Sequence, residues 1–301
     1  MRDLISIDQL SLSDIKQIHD SAKKFFKNPQ KQNSDLAGKT LINFFFENST
    51  RTRMSFEIAA QRMGVDVVNL DVSLSSLKKG ESIIDTAKTI NAMRPDFVVL
   101  RHNSSGIVAL LKKYIDASLI NAGDGTNEHP SQALLDTFTI LQHKKTLENL
   151  KIAICGDVLH SRVARSNIKL LKKFGCEIRV ITPPTLMPRD YKNWLKKNWD
   201  IEVFESLAEG IKNVDVVMML RIQQERMVGG YIPSLLEYFS LFGLTHEKLK
   251  LSNNALVLHP GPINRDVEIS SALADDEKVS LILEQVEAGV AVRQAILAFL
   301  S

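Results

Sequence analysis

The sequence has little that would support a metal centre, a disulfide framework or a membrane span. Its 301 residues include only two cysteines, Cys155 and Cys176, with no Cys-x-x-Cys pair and no metal-ligand spacing. We expect two buried free thiols in a reducing compartment. No apolar run approaches the length of a membrane span, and residues 1–8 are too polar for a signal peptide. The sequence therefore predicts a cytoplasmic protein with no membrane partner.

A large excess of charge is also absent. The chain has 38 basic and 35 acidic residues and a net charge of +3, which is too balanced for a general polyanion binder. Lysine pairs at 112–113, 144–145 and 172–173 are scattered and lack interleaved aromatic residues, so we expect solvated helix faces and no nucleic-acid partner. The length favours two domains of about 150 residues each, because a single core seldom grows further.

A cluster of hydroxyl and arginine side chains stands directly behind an apolar stretch. Residues 41–46 form an apolar run of buried-strand length, and from Thr52 the apolar positions are spaced as in a helix. Between them lies the segment 49–53, Ser-Thr-Arg-Thr-Arg. A helix start offers unpaired backbone N–H groups, and guanidinium groups match phosphate oxygens. A lone Ser-Thr-Arg would fit a simple helix cap better, but this density of such residues favours a phosphate site.

The segment 49–53 resembles the carbamoyl-phosphate motif of the aspartate and ornithine carbamoyltransferase family. The resemblance implies that carbamoyl phosphate binds to Ser49, Thr50, Arg51 and Thr52. It also implies an α/β fold with two doubly wound parallel-sheet domains joined by interdomain helices. Residues 1–130, completed by a C-terminal helix at 286–301, would form a carbamoyl-phosphate-binding domain, and residues 131–285 would form an aspartate-binding domain.

Two more matches lie in the first half of the chain. Arg101 is expected just beyond a strand at 96–100, and His129 and Gln132 belong to a His-Pro-x-Gln sequence before a helix. By themselves, an arginine at a strand end is as often a rim charge, and a single histidine is more often structural. The resemblance implies that Arg101 touches phosphate and carbonyl oxygens, His129 the carbamoyl oxygen and Gln132 the carbamoyl nitrogen.

The segment 71–82 has hydroxyls, lysines and a glycine but no sustained period, which by composition alone predicts a flexible surface turn. The resemblance implies instead a loop that reaches into the active site of a neighbouring subunit, with Ser75 and Lys79 at the family's positions. It leaves the roles of Ser76 and Lys78 open. Such sharing requires an oligomer, and the family forms a homotrimer.

The second half restarts strand and helix alternation, with strands expected at 151–155 and 177–181. Gly156 stands where a dinucleotide fold would begin Gly-x-Gly-x-x-Gly, but the later glycines are missing, so nucleotide binding is weakly supported. Arg162 opens the following helix, at another position that favours anions. The resemblance assigns Arg162 to a substrate carboxylate.

Two later motifs indicate whether the chain resembles the aspartate-specific or the ornithine-specific members of the family. Arg221 and Gln223 resemble the Arg-x-Gln of the aspartate-specific members, and residues 259–262 read His-Pro-Gly-Pro where ornithine enzymes carry His-Cys-Leu-Pro. Two guanidinium groups suit a dicarboxylate better than an ammonium-bearing side chain. The resemblance therefore implies an aspartate site made of Lys79, Arg162, Arg221, Gln223, Gly261 and Pro262.

The implied reaction transfers the carbamoyl group of carbamoyl phosphate to the amino group of L-aspartate, the committed step of de novo pyrimidine biosynthesis. The implied catalytic residues are Arg51, Thr52, Arg101 and His129. No metal or organic cofactor is implied.

No side chain stands out as the base for the amine proton, and the departing phosphate is the other candidate. The resemblance also implies that Glu47 pairs with Arg162 and Arg226 when the domains close.

Two alternatives remain open at this stage. One keeps the chemistry and changes the acceptor to ornithine or another amino acid. The other is a non-catalytic carbamoyltransferase-like scaffold. Partner chains, such as regulatory chains or a dihydroorotase, are also left open by the sequence.

Overall fold

The computed structural model describes residues 2–29, 33–71, 80–223, 230, 232 and 234–301. The chain forms two compact units, Met1–Phe138 with Val286–Ser301 and Thr139–Gln285. Each unit contains a parallel β-sheet flanked by helices. The prediction of an α/β fold with two parallel-sheet domains is confirmed.

The first unit contains a parallel sheet of four strands in the order β2-β1-β3-β4. Its strands are β1 (Thr40–Phe45), β2 (Asp66–Asp71), β3 (Phe97–His102) and β4 (Ser118–Asp124). Its helices are α1 (Leu12–Lys27), α2 (Thr50–Arg62), α3 (Ile83–Ala92), α4 (Ile107–Leu111) and the first part of α5 (Pro130–His143).

The second unit contains a parallel sheet of five strands in the order β7-β6-β5-β8-β9. Its strands are β5 (Lys151–Cys155), β6 (Glu177–Ile181), β7 (Glu202–Phe204), β8 (Val216–Met219) and β9 (Leu256–Leu258). Its helices are α6 (Arg162–Lys173), α7 (Tyr191–Trp199), α8 (Leu207–Gly210), α9 (Leu235–Phe242), α10 (His246–Leu249) and α11 (Ser271–Ala274). The last helix is α12 (Ile282–Leu300), and the chain passes between the units within α5 and again within α12.

Strands β3, β4, β5 and β8 are largely buried, whereas the edge strands β2 and β7 are partly exposed. All seven residues of β4 are buried, and so are Phe97–Leu100 of β3. Such continuous burial along a strand is typical of parallel strands with two covered faces. In β5, Ile152 and Ile154 pack into one apolar cluster, whereas Ala153 and Cys155 pack into another. Alternate residues thus fill the two layers on either side of the sheet.

Both cysteines are free and buried, as predicted. Burial raises the pKa of the Cys176 thiol to about 12 and raises the pKa of the Cys155 thiol well above its usual range. Both thiols therefore stay protonated at neutral pH and act as small apolar groups.

Two boundaries near the predicted site differ from the expectation. Helix α2 begins at Thr50, two residues before the expected start at Thr52. Arg101 lies inside β3 and not beyond it, because it pairs with Phe45 of β1 and its carbonyl accepts a hydrogen bond from Phe46 N at 2.9 Å. Backbone pairing thus extends the strand through a charged residue. Among the described residues, no helix is both long and apolar enough to cross a membrane.

We predict that Leu100→Ala lowers the free energy of unfolding by about 2–5 kcal/mol, because Leu100 is fully buried in β3 and the change leaves a cavity. Urea unfolding followed by circular dichroism measures the effect. The matched control is Leu110→Ala on α4, where the leucine is 40% exposed and the expected loss is about 1 kcal/mol or less. Equal losses in the two variants would contradict the assignment of Leu100 to the core.

Candidate active site

The first sheet gathers the segments that carry the predicted carbamoyl-phosphate residues. The connection that leaves β1 runs to β2 on one side, whereas the connection that leaves β3 runs to β4 on the other, so the gap between β1 and β3 is the switch point of this sheet. Ligands of open parallel sheets bind beyond the carboxyl ends of the strands at such a switch point. Strands β1, β3 and β4 are neighbours, and the predicted residues stand at or just after their carboxyl ends. These residues are Ser49, Thr50, Arg51, Thr52, Arg101, His129 and Gln132.

The start of α2 is arranged to receive an anion. Ser49 is the N-cap residue, but its side chain makes no capping hydrogen bond, whereas Ser82 caps α3 by accepting from Asp85 N at 3.1 Å. The first-turn N–H groups of α2 therefore lack a side-chain cap. Thr52 is buried in this turn and Arg51 is exposed. Uncapped N–H groups, a helix dipole and a guanidinium group together favour a phosphate.

The guanidinium of Arg101 is held from two neighbouring strands. Its Nη1 donates to the carbonyl of Ala122 in β4 at 3.2 Å, and its Nε lies 3.3 Å from Oε2 of Glu47, which follows β1. The Arg101 side chain is 15% exposed. These contacts place a preorganised cation at the switch point between β1 and β3.

Glu47 therefore has a neighbour that the sequence interpretation did not foresee. That interpretation paired Glu47 with Arg162 and Arg226, and the contact to Arg101 lies within the first unit. Arg226 lies outside the described residues. The Glu47 carboxylate offsets part of the positive charge of Arg101 at the edge where an anion is expected to bind.

Two buried carboxylates hold the turn that precedes His129. Asp124, at the end of β4, accepts hydrogen bonds from Asn121 Nδ2 at 2.9 Å, Glu128 N at 3.1 Å and Gly106 N at 2.7 Å. The Glu128 carboxylate in turn accepts from Ser6 Oγ at 2.5 Å and from Ile7 N at 3.0 Å. These bonds anchor the residue directly before His129 to the N-terminal segment.

His129 and Gln132 take fixed positions at the start of α5. His129 is 4% exposed, and its carbonyl accepts the Gln132 backbone N–H at 3.0 Å. Its Nδ1 lies 3.4 Å from Ser131 Oγ. The sequence interpretation identified His129 and Gln132 but assigned no role to Asp124 or Glu128. The one sequence signal for the two acids is their place between a buried strand and a helix.

A second histidine at this edge contributes no positive charge at neutral pH. Burial lowers the pKa of His102, although the nearby Glu47 and Asp124 charges raise it in part. His102 Nδ1 also accepts the Ser104 backbone N–H at 2.8 Å, which requires an unprotonated nitrogen. The positive charge of the first edge therefore comes from its arginines.

The second sheet gathers the predicted aspartate residues in the same way. Strand β5 lies between β6 and β8, which makes the gap between β5 and β8 the switch point of this sheet. The predicted residues follow the neighbouring strands β5, β8 and β9. They are Arg162, Arg221, Gln223, Gly261 and Pro262.

Asp157 joins the segments that follow β5 and β8. Its Oδ1 lies 2.9 Å from His160 Nδ1 and accepts the His160 backbone N–H at 3.1 Å, and its Oδ2 accepts the Gln223 backbone N–H at 3.4 Å. Gln223 Nε2 donates to the His160 carbonyl at 3.0 Å. Asp157 is fully buried. The sequence interpretation assigned no role to Asp157 or His160. The one sequence signal for this pair is that Asp157 directly follows Gly156 at the end of a buried strand.

Arg162 is the first residue of α6 and is only 4% exposed. The helix is capped by Ser161, whose Oγ accepts from Ala164 N at 3.1 Å. An arginine at this position adds its charge to the positive end of the helix dipole. A buried arginine beside a helix start favours an anion with at least one carboxylate.

The segment after β9 is held by two buried side chains. His259 Nδ1 accepts the Gly261 backbone N–H at 2.8 Å, and His259 Nε2 lies 3.0 Å from Glu268 Oε1. The histidine thus donates from Nε2 to the carboxylate. Asn264 Nδ2 donates to the carbonyl of Ile222 at 3.2 Å. These bonds tie the segment that contains Gly261 and Pro262 to the one that contains Arg221.

The loop expected to reach a neighbouring subunit is not among the described residues. Ser75, Ser76, Lys78 and Lys79 all lie outside them. Within the described ranges, no group of three or more histidine, cysteine or acidic residues is arranged to hold a metal ion.

Two family descriptions match consecutive parts of the chain. Residues 2–142 match the family described as aspartate/ornithine carbamoyltransferase, carbamoyl-P binding domain, and residues 148–300 match the aspartate/ornithine carbamoyltransferase, Asp/Orn binding domain. The aspartate carbamoyltransferase catalytic subunit of Parvibaculum lavamentivorans is 53% identical over 304 residues, which cover 100% of this chain and 91% of that relative.

Solved structures show the same likeness in three dimensions. Aspartate transcarbamoylase from Trypanosoma cruzi, in complex with N-(phosphonacetyl)-L-aspartic acid, is 30% identical with a TM-score of 0.88, covering 98% of this chain and 94% of that one. Ornithine carbamoyltransferase from Pyrococcus furiosus is 27% identical with a TM-score of 0.87, covering 99% and 96%. The backbone fold thus serves both acceptors.

The chain belongs to the aspartate/ornithine carbamoyltransferase family. Within that family, the curated relatives that match it at 53% identity over nearly their whole length are named aspartate carbamoyltransferase catalytic subunit.

We predict that Glu47→Gln tightens the binding of inorganic phosphate by about threefold, because it removes an anion 3.3 Å from the Arg101 guanidinium. Isothermal titration calorimetry measures the dissociation constant. The control is Glu57→Gln on α2, whose carboxylate accepts from Asn69 of β2 at 3.2 Å, and this change should leave phosphate binding as it is. Weaker phosphate binding by Glu47→Gln would contradict this account.

Proposed function

We propose that this protein transfers the carbamoyl group of carbamoyl phosphate to the amino group of L-aspartate, giving N-carbamoyl-L-aspartate and phosphate. One observation carries the proposal: the described residues expected at each substrate site stand at or after the carboxyl ends of neighbouring strands of one sheet, on and beside its switch point. Identity of 53% to relatives named for this activity supports it. In this proposal the chain acts in pyrimidine biosynthesis.

The first unit is proposed to bind carbamoyl phosphate. Ser49, Thr50, Arg51 and Thr52 hold the phosphate at the start of α2, and Arg101 reaches both the phosphate and the carbonyl oxygen. The proposed carbamoyl-phosphate-binding domain comprises residues 1–130 and 286–301, and the compact unit includes residues 131–138 as well. The family description matched by residues 2–142, a carbamoyl-P binding domain, supports that assignment.

The second unit is proposed to bind aspartate through its two carboxylates. Arg162 and Arg221 supply guanidinium groups, and Gln223, fixed by Asp157 and the His160 carbonyl, supplies a polar contact. Gly261 and Pro262 complete the aspartate site, which belongs to the proposed domain of residues 131–285. Two arginines fit a dicarboxylate, whereas the ammonium group of ornithine requires acidic partners.

The reaction forms one C–N bond and breaks one C–O bond. The neutral amine of aspartate attacks the carbamoyl carbon, and negative charge develops on the carbonyl oxygen. Thr52, Arg101 and His129 stabilise that oxyanion. The bond to the phosphate oxygen then breaks, and Arg51 stabilises the charge on the departing phosphate. The departing phosphate is proposed to take the amine proton.

The active form is proposed to be a cytoplasmic homotrimer with shared sites. The proposal assigns Ser75 to the carbamoyl phosphate site and Lys79 to both substrates, each acting from the neighbouring subunit. The relatives' designation as catalytic subunits leaves room for association with further chains, regulatory chains or a dihydroorotase among them.

We predict that the wild-type chain carbamoylates aspartate at least about 100-fold faster than ornithine. We also predict that Arg51→Ala lowers turnover of aspartate by about 100-fold or more, because the charge that stabilises the departing phosphate is lost. A colorimetric assay of the carbamoyl product measures both rates. The control is Arg62→Ala at the opposite end of α2, which should retain wild-type turnover. A preference for ornithine would favour the alternative acceptor. Full activity of folded Arg51→Ala would contradict the proposed phosphate site.

We predict that inactive Arg51→Ala and Lys79→Ala chains regain activity when they are mixed and reassembled. If the sites are shared, some mixed trimers contain a site with Arg51 from one chain and Lys79 from another. Size-exclusion chromatography with light scattering establishes the assembly mass, and mass spectrometry of differently tagged chains establishes mixing. Continued inactivity of proven mixed trimers would rule out the shared loop.

A further inference from the structure

Gln132 makes a buried side-chain contact that determines which way its amide faces. Gln132 and Asp136 stand one turn apart on α5, and they are 7% and 0% exposed. Gln132 Nε2 donates to Asp136 Oδ1 at 2.8 Å. An ionised carboxylate only accepts hydrogen bonds, so it selects the nitrogen of the amide and not the oxygen. The amide oxygen of Gln132 therefore points away from Asp136.

A buried cation on another helix favours the ionised form of Asp136. Arg293 on α12 is 3% exposed, and its guanidinium carbon lies 5.0 Å from the centre of the Phe56 ring on α2. Burial lowers the pKa of Arg293 to about 10, while the charge of Asp136 acts to raise it. Arg293 therefore remains protonated at neutral pH. Because the attraction is mutual, it stabilises the negative charge of Asp136 as well.

Gly289, one turn before Arg293 on α12, lies against the arginine side chain. Arg293 Nη1 donates to the Gly289 carbonyl at 2.9 Å. A Cβ at position 289 would lie only 2.6 Å from Nη1 and 3.5 Å from Leu135 Cδ2 of α5. A Cβ at position 289 would therefore crowd the Arg293 guanidinium on the side of α12 that contacts Leu135 of α5.

We propose that Asp136 is a positioning residue that holds the Gln132 amide with its oxygen toward the substrate. Gln132 Oε1 then accepts a hydrogen bond from the carbamoyl N–H, and the site prefers a carbamoyl group over an acyl group that lacks N–H. This inference rests on the proposed function, because it requires that carbamoyl phosphate binds at the first edge.

The test compares carbamoyl phosphate with acetyl phosphate, in which a methyl group replaces the amino group. The measured quantity is the inhibition constant of acetyl phosphate divided by the KM of carbamoyl phosphate. Asp136→Asn keeps the size of the side chain but can present either an oxygen or a nitrogen to Gln132. We expect this ratio to fall by about 3- to 10-fold in Asp136→Asn, which corresponds to the loss of one hydrogen bond. The KM of carbamoyl phosphate should rise by that factor, whereas the inhibition constant of acetyl phosphate should stay the same.

Two further variants separate positioning from general stability. Thr137→Val removes a neighbouring buried hydroxyl that bonds to the carbonyls of Ala133 and Leu134. It should lower the melting temperature while it leaves the ratio unchanged. Gln132→Met removes the acceptor, so adding Asp136→Asn in that background should cause no further fall in the ratio.

The outcomes distinguish this inference from the proposed function. A wild-type chain that carbamoylates neither aspartate nor ornithine would overturn both, whereas one that carbamoylates ornithine alone would overturn only the proposed acceptor. An active wild type with an unchanged ratio in Asp136→Asn would overturn only the role of Asp136. If Asp136→Asn does not fold, Asp136→Ser is measured in its place. Loss of the fold in both variants would also overturn the inference, since Asp136 would then act on the fold and not on Gln132.

Discussion

The structure depends on placing fixed positive charge where parallel strands end. Carbamoyl phosphate and aspartate are both anions and repel each other, so a protein that joins them must supply cations to each. A parallel sheet brings the carboxyl ends of its strands to one edge, and each sheet of this chain has a switch point there. Arg101 stands at the first switch point and Arg162 follows β5 at the second. Because such charges are partly or fully buried, they act more strongly than exposed ones.

Buried carboxylates near these strand ends have a different role from the arginines. Asp124 holds the turn before His129, Asp157 joins the segments after β5 and β8, and Asp136 orients Gln132. Each of the three is almost fully buried and accepts hydrogen bonds from backbone or amide groups. Left unpaired, a buried carboxylate would be costly, so each one restricts the geometry of its donors. In the proposed function, basic residues therefore bind the substrates and acidic residues position their neighbours.

Local pattern accounts for much of what could be predicted from the sequence. Strands β5 and β6 span the residues expected, 151–155 and 177–181, because β5 is a short apolar run after Lys151 and β6 begins with charged and apolar residues in alternation. The phosphate segment was identifiable because its hydroxyl and arginine residues are adjacent in the chain. Its placement beside Arg101 follows once the strands are known to be parallel neighbours.

The residues that were missed act through partners distant in the chain. Glu128 bonds to Ser6 across 122 positions, and Asp157 bonds to Gln223 across 66 positions. A periodic pattern in the sequence cannot indicate such a pair, since the two residues come together only after the sheet has formed. The extension of β3 through Arg101 was missed for the same reason, because pairing with β1 and not the local sequence sets the end of the strand.

The most direct test of the central claim is a crystal structure of this protein with N-(phosphonacetyl)-L-aspartic acid, the ligand bound in the Trypanosoma cruzi complex. The account predicts that the phosphonate binds at the start of α2 against Arg51 and Arg101, with the carboxylates at Arg162 and Arg221. A phosphonate bound away from the start of α2, or carboxylates that contact neither Arg162 nor Arg221, would contradict it.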